Sequence, residues 1–241
     1  MDYGELSAQS FGPIAGRYEN GRPAYPEAAV DWLVPSDAKT VLDLAAGTGK
    51  LSRPLAARGL EVTAVDPLEG MLAELRAFLP DVPALIGAAE AIPLPDDSVD
   101  AVVVGQAWHW VDPARAVPEV ARVLKPGGQL ALIWNQRDER IGWVSRLAEL
   151  IVPIDLHRNS DIGAPFGPLE RLDFPWTDTV GEQQVLDLVA SRSSAIILPE
   201  DERAALLDRV RTLLRTDPET AGRTEFAIPY LTQCTRTRLT T

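Results

Sequence analysis

Short apolar runs alternate with helical stretches between Thr40 and Trp134. A run that ends at aspartate or glycine is repeatedly followed by a stretch with the helical spacing of Leu, Ala and Val. This alternation predicts a parallel sheet whose strands are connected by crossover helices. The predicted strands are Thr40–Leu44, Glu61–Asp66, Pro83–Ile86, Val99–Gly105 and Gln129–Trp134.

Helices are predicted both between these strands and after them. A short helix that opens with proline in its first turn is expected before the first strand. The predicted helices are Pro26–Leu33, Lys50–Arg58, Leu68–Phe78, Ala114–Leu124, Val144–Ile151, Glu182–Ser191 and Glu200–Arg215. Beyond Arg137 the alternation is irregular, and two weaker strands, Leu172–Thr177 and Glu225–Gln233, are expected to complete the sheet as an edge hairpin.

The turn after the first predicted strand has the composition of a ligand-binding loop. Its sequence, VLDLAAGTGK over residues 41–50, is a buried strand that runs into glycines and then into a helix. Gly47 and Gly49 have no Cβ, so a ligand can lie against the backbone, and the following helix offers free N–H groups to an anion. The second predicted strand ends at Asp66, where a carboxylate can accept hydrogen bonds from both ribose hydroxyls of a nucleoside. Together the two elements predict a nucleoside cofactor.

The same residues distinguish between nucleoside cofactors. A P-loop is excluded because Lys50 precedes Leu51 and because position 44 is leucine. A dinucleotide fingerprint lacks its third glycine, since position 52 is serine, and Asp43 would place negative charge beside a pyrophosphate. NAD(P) is therefore the second candidate for the nucleoside cofactor, after S-adenosylmethionine. Asp43 instead suits S-adenosylmethionine, which carries an ammonium and a sulfonium.

Composition and charge narrow the classes of partner. The 241 residues suffice for one α/β domain. The net charge is −12 and Lys and Arg form no cluster, so the sequence does not predict a nucleic-acid substrate. No apolar run approaches the ~20 residues of a membrane span. The acidic N-terminus does not resemble a secretory signal. The single cysteine cannot form an internal disulfide, which favours a location in the reducing cytoplasm. With only two histidines besides, the sequence does not predict a metal centre.

Five segments, in order, resemble the motifs of class I S-adenosylmethionine-dependent methyltransferases, in the small-molecule branch described as methyltransferase type 11. They are Asp43–Gly49, Asp66–Leu72, Gly87–Pro95, Val102–Trp110 and Leu124–Leu130. The resemblance implies a Rossmann-like, doubly wound α/β fold with a mostly parallel seven-stranded sheet and an antiparallel edge strand. It also implies an enzyme that transfers a methyl group to an O, N or C nucleophile of a small molecule and releases S-adenosylhomocysteine.

The resemblance further implies which residues bind the cofactor. They are Tyr18, Arg22, Asp43, Ala45, Gly47, Gly49, Asp66, Pro67, Met71, Ala88, Ala89, Glu90, Gln106 and Ala107. Ala45 replaces the usual first glycine of its motif, which predicts a slightly wider turn. Ala88 stands where an aspartate commonly binds the adenine amino group, so adenine would rely on the backbone of Ala89 and on Glu90. Arg22 or Tyr18 is expected to meet the cofactor carboxylate.

The residues expected around the methyl acceptor carry alternative interpretations. His109 is the candidate catalytic base, and it could equally be a structural histidine packed between Trp108 and Trp110. Trp134, Asn135 and Arg137 follow the fifth strand, where relatives commonly hold their acceptor. Trp134 could instead be core and Arg137 a surface ion pair. The corner after the fourth strand lacks the Asn/Asp-Pro-Pro-Tyr/Phe motif, which argues against methylation of a nucleobase amine.

The expected organisation is a single domain with three parts. Residues 1–36 form a cap or cover segment, residues 37–137 the cofactor-binding core, and residues 138–241 complete the sheet and the acceptor pocket. Besides the NAD(P)-dependent oxidoreductase, a module that binds S-adenosylmethionine without catalysing a reaction is the second alternative.

Overall fold

The computed structural model describes residues 21–140, 142–151 and 162–240. Tyr18, expected at the cofactor carboxylate, lies outside these residues. The strands are β1 (Thr40–Leu44), β2 (Glu61–Asp66), β3 (Ala84–Ile86), β4 (Val99–Gly105), β5 (Leu124–Arg137), β6 (Glu170–Gly181) and β7 (Glu225–Arg238). They form one sheet in the order β3-β2-β1-β4-β5-β7-β6.

The described ranges contain eight α-helices, one before the first strand and the others between strands. They are α1 (Glu27–Leu33), α2 (Ser52–Ala56), α3 (Glu69–Phe78), α4 (Pro113–Val123), α5 (Gly142–Leu150), α6 (Glu182–Ala190), α7 (Ser193–Ile196) and α8 (Glu200–Thr216). A 3₁₀ helix covers Trp108–Trp110. None of the described helices is long and apolar enough to cross a membrane.

The sheet is mostly parallel. β1 pairs in parallel with both β2 and β4, so that Leu42 lies between Thr63 and Val102, and β2–β3 and β4–β5 are parallel as well. β7 runs antiparallel to β5, because Leu239 N donates to Gly128 O while Asp138 N donates to Pro229 O. The predicted doubly wound α/β fold, with seven strands and an antiparallel strand at one side of the sheet, is confirmed.

The two weaker strands that were expected to complete the sheet are neighbours in it, as β6 and β7. Helices α6, α7 and α8 lie between them in the chain, and two of these helices were predicted there. The fifth strand is longer than predicted, because it begins at Leu124 and includes the Lys-Pro-Gly-Gly segment. Helix α2 is shorter than the predicted Lys50–Arg58.

The chain divides into two compact units that alternate along the sequence. The larger unit comprises the described residues of 24–135, 162–174 and 232–240, and the smaller unit those of 21–23, 136–151 and 175–231. In the larger unit, alternate residues of the central strands face two apolar clusters: Leu42 and Val102 face one, and Val41 and Val103 the other. This two-sided burial is what a parallel sheet requires. In the smaller unit, α5, α6 and α8 pack with the inward side chains of β7.

Candidate active site

The turn after β1 contains three residues with a positive φ angle. φ is 57° at Ala45, 57° at Gly47 and 85° at Gly49. A left-handed conformation costs a residue with a Cβ about 1–2 kcal/mol, so Ala45 adopts at some cost the conformation that a glycine would take freely. At Gly49 a Cβ would also lie 2.9 Å from Leu75 Cγ, so only glycine fits there.

Gly47 leaves the surface of this turn open. A Cβ built on Gly47 would meet no atom of the described structure within 4 Å. Its N–H donates to Asp66 Oδ2 at 2.9 Å, which ties the turn after β1 to the end of β2. A ligand can therefore approach the backbone of Gly47 directly beside the Asp66 carboxylate.

Asp66 closes β2 with a buried carboxylate. Its second oxygen, Oδ1, accepts a hydrogen bond from Leu68 N at 2.9 Å. Burial raises the pKa of Asp66, and the hydrogen bonds from Leu68 and Gly47 partly offset this rise. Each oxygen has further lone-pair capacity, so the carboxylate can still accept from two hydroxyls. Beside it, Pro67 is exposed and Met71 is buried in the first turn of α3.

Asp43 is the second buried carboxylate of the site and is 1% exposed. Ser52 Oγ donates to Asp43 Oδ2 at 2.6 Å. Burial raises the pKa of Asp43 to about 7, against the opposing hydrogen bond from Ser52, and the charge of Asp66 raises it further. Two carboxylates removed from water favour a cationic ligand, which would stabilise their charged forms. Ser52 was not predicted as a site residue, because in the sequence position 52 stands out only as the place of a missing glycine.

The end of β4 adds a strained backbone position. Gln106 has a φ angle of 59°, its N–H donates to Ile133 O at 2.9 Å, and its Nε2 lies 3.4 Å from Asn135 O. Ala107 is half-buried and packs against the core. A positive φ in a residue with a long side chain is often found at functional sites.

The segment expected to bind adenine is held mainly by local contacts. Ala88 pairs with Ala91 in an isolated bridge, and Ala89 is buried in the core. Glu90 Oε1 accepts a hydrogen bond from Asp112 N at 2.8 Å, which connects this segment to the start of α4. One oxygen of Glu90 is therefore already used within the protein.

Two tryptophans beyond β4 and within β5 carry buried polar atoms. Trp108 is 1% exposed and Trp134 is 7% exposed, and both belong to the same apolar cluster. Neither indole N–H has a hydrogen-bond partner among the described residues. His109, between them in the chain, is half-buried, with its ring centroid 4.9 Å from that of Trp110. Buried donors without partners are costly and point to a ligand that accepts their hydrogen bonds.

The smaller unit contains two other residues expected at the site. Arg22 Nη2 donates to Ser191 O at 3.0 Å. Arg137 pairs with Glu139 at 3.0 Å, yet its side chain is only 4% exposed. The alternative prediction of a surface ion pair is therefore half right, because Arg137 forms an ion pair but its side chain is buried. Arg192, whose charge interacts with both of these arginines, was not predicted from the sequence.

In the larger unit, the strand order reverses at β1, which has β2 on one side and β4 on the other. Doubly wound proteins bind their ligands at this point, outside the carboxyl ends of the strands. The glycine turn, Asp43, Asp66 and Gln106 all lie at these strand ends. Fold and site together define a doubly wound α/β protein with two buried carboxylates beside an open glycine turn at the point where ligands bind in this class.

Comparison with known proteins identifies the family within this class. A family profile described as "Methyltransferase domain" matches residues 42–132. A methyltransferase of Mycobacterium tuberculosis is 54% identical over 237 residues, which are 95% of this chain and 96% of that protein. A solved structure from Anaeromyxobacter dehalogenans, described as a type II methyltransferase, matches with a TM-score of 0.70 and 26% sequence identity. The match covers 91% of this chain and 98% of that chain. The chain therefore belongs to the class I methyltransferase family.

A more distant solved structure has the same fold with the cofactor bound. It is the Haemonchus contortus phosphoethanolamine N-methyltransferase 2 in complex with S-adenosyl-L-methionine. Its TM-score is 0.52 at 15% identity, and the match covers 89% of this chain and 52% of that chain. At this identity the likeness concerns the fold alone.

Proposed function

We propose that this methyltransferase binds S-adenosylmethionine at the ends of β1, β2 and β4. Asp66 accepts hydrogen bonds from the ribose hydroxyls, and the open face of Gly47 admits the ligand against the backbone. Asp43 faces the positive charge of the methionine portion, and Gln106 and Ala107 lie beside that portion. The observation that supports this proposal best is the pair of buried carboxylates beside an open glycine turn.

The remaining cofactor contacts follow from the motifs. Adenine lies along the segment Ala88–Glu90 and against Met71, with Pro67 at the ribose and Ala45 and Gly49 shaping the turn. The contact of Arg22 or Tyr18 with the cofactor carboxylate stays a prediction. When bound, the cofactor supplies an electrophilic methyl group on a sulfonium.

We further propose that the methyl acceptor is a small molecule that lies against Trp108 and Trp134. Their two buried indole N–H groups would donate to oxygen atoms of the acceptor. The residues around the acceptor orient it and exclude water, which supplies much of the acceleration in an in-line displacement. His109 can take a proton from an acceptor that must lose one, and a carboxylate acceptor needs no base.

The charge of the chain supports a small acceptor rather than a nucleic acid. A net charge of −12 would oppose binding to a phosphate backbone. We place the protein in the cytoplasm, where S-adenosylmethionine and small metabolites are both present, and this location stays a prediction.

Two experiments test the proposed function separately. Calorimetric titration with S-adenosylhomocysteine should show one site, and NADPH should not compete for it. Incubation with methyl-labelled S-adenosylmethionine and a fractionated metabolite extract should then transfer label to a small molecule. Absence of S-adenosylhomocysteine binding contradicts the cofactor assignment. Binding without any transfer to small molecules, proteins or nucleic acids favours the alternative of a non-catalytic module.

A further inference from the structure

Three arginines come together in the smaller unit, in a chain that carries far more acid than base. Gly21 packs so closely on α6 that a Cβ there would lie 2.4 Å from the Asp187 carbonyl carbon, which sets Arg22 against Ser191. Arg192 follows Ser191 directly. The charges of Arg137 and Arg22 both act on Arg192, so the three guanidinium groups are electrostatic neighbours.

Arg137 is the most deeply placed of the three. Its side chain is 4% exposed, and its Nη2 forms an ion pair with Glu139 at 3.0 Å. Nε and Nη1 are buried without a hydrogen-bond partner among the described residues. A guanidinium has five N–H donors in a rigid planar arrangement. Nε carries one of them and Nη1 two, so three N–H donors, on different edges of the group, are available for the oxygen atoms of an anion.

The charges around the cluster do not cancel. Glu139 acts on Arg192, and Asp178 acts on the nearby Tyr230. Among the described residues named in these interactions, the two carboxylates set against Arg22, Arg137 and Arg192 leave one positive charge. Burial, followed by the charges of Arg137 and Arg22, lowers the pKa of Arg192 to about 10. The cluster is therefore electrostatically unfavourable until an anion joins it.

Tyr230 adds a further polar group next to these arginines. It is 4% exposed, and its ring stacks on Trp176 with centroids 5.1 Å apart and an interplanar angle of 21°. Backbone pairing brings it there, because Asp138 N donates to Pro229 O and thereby places Arg137 beside Tyr230. The phenol can donate a hydrogen bond to an anion.

We propose that Arg137 and Arg192, with Arg22 and Tyr230 beside them, bind the carboxylate or phosphate group of a small organic anion. The other source of such a group is the carboxylate of S-adenosylmethionine itself.

The experiment uses the protein saturated with S-adenosylhomocysteine and titrates it with succinate, citrate and inorganic phosphate, with succinamide as the uncharged probe. The wild type should bind at least one of the anions and not succinamide. Arg137→Gln and Arg192→Gln should each weaken that binding at least tenfold. Arg140→Gln is the matched control, because Arg140 lies just after the same strand with its side chain 86% exposed, and it should change nothing.

Three readouts keep the outcomes distinct. If the wild type binds S-adenosylhomocysteine but none of the anions, or if the two variants bind them as the wild type does, the inference is wrong while the cofactor site stands. If Arg137→Gln instead loses affinity for S-adenosylhomocysteine, the cluster serves the cofactor carboxylate and the proposal of a site for another organic anion is wrong. Arg137→Gln should also melt close to the wild type, because Nε and Nη1 make no hydrogen bond that the variant would break and the paired Glu139 is largely exposed; a guanidinium with a purely structural role would give a lower melting temperature.

Discussion

Ser52 Oγ donates a 2.6 Å hydrogen bond to Asp43 Oδ2, which connects the first residue of α2 to a buried carboxylate in β1. The bond partly offsets the burial that raises the pKa of Asp43 to about 7. Asp43 thus titrates near neutral pH in the ligand-free protein. A cationic ligand favours its charged form, so ligand binding and proton release are linked at this residue.

This linkage predicts a pH-dependent affinity for S-adenosylhomocysteine, whose ammonium group is positively charged. Below pH 7 the affinity should rise with pH by up to about tenfold per unit, and above pH 7 it should level off. Asp43→Asn should abolish the rise, because it has no charge to acquire. Calorimetry between pH 5.5 and 8.5 measures both proteins, and a flat wild-type profile would contradict this role of Asp43.

The same shift predicts how pH affects the stability of the ligand-free protein. Because the folded pKa of Asp43 lies above its unfolded value of 3.8, the folded state holds the proton more tightly, and stability is lost as pH rises from about 4 to 7. Asp43→Asn should therefore be more stable than the wild type at pH 8, by roughly 2 kcal/mol or more. Urea unfolding at pH 5 and pH 8 measures the difference. A destabilised Asp43→Asn at pH 8 would show that the carboxylate is better accommodated than its burial indicates.

The left-handed backbone of Ala45 predicts a stabilising substitution. Ala45→Gly should increase the free energy of unfolding by about 0.5–1 kcal/mol, because release of the strain exceeds the extra flexibility of the unfolded chain. The matched control is Ala57→Gly at the end of α2, where φ is −62° and the glycine should destabilise by a similar amount. Chemical denaturation of the three proteins makes the comparison. Equal effects of the two glycines would mean that Ala45 is not strained.

The buried indoles predict a separation between cofactor and acceptor binding. Trp134→Phe and Trp108→Phe keep most of the packing but remove the N–H donors, so S-adenosylhomocysteine affinity should stay within about twofold while the KM of the acceptor rises about fivefold or more. Trp32→Phe serves as the control, since Trp32 packs in the opposite cluster beneath Arg236. Steady-state kinetics with the acceptor, once identified, gives the answer. An unchanged KM in both variants would remove the indoles from the acceptor site.

The sequence allowed the cofactor side of this protein to be predicted more fully than the acceptor side. β1, β2 and β4 have the predicted bounds, because buried parallel strands are unmistakable apolar runs between glycine and aspartate. Asp43 and Asp66 lie in local motifs and could be recognised there. The partners of Arg137 could not, because Arg192 and Tyr230 are far away in the chain and reach it only through tertiary packing.

Calorimetric titration with S-adenosylmethionine shows most directly whether Asp43 and Asp66 together hold a positively charged sulfur nucleoside. Asp43→Asn and Asp66→Asn should each lower its affinity about tenfold or more, and the double variant further, whereas exposed Asp81→Asn should match the wild type. Affinity in the double variant equal to that of the wild type would show that these two carboxylates do not hold the cofactor.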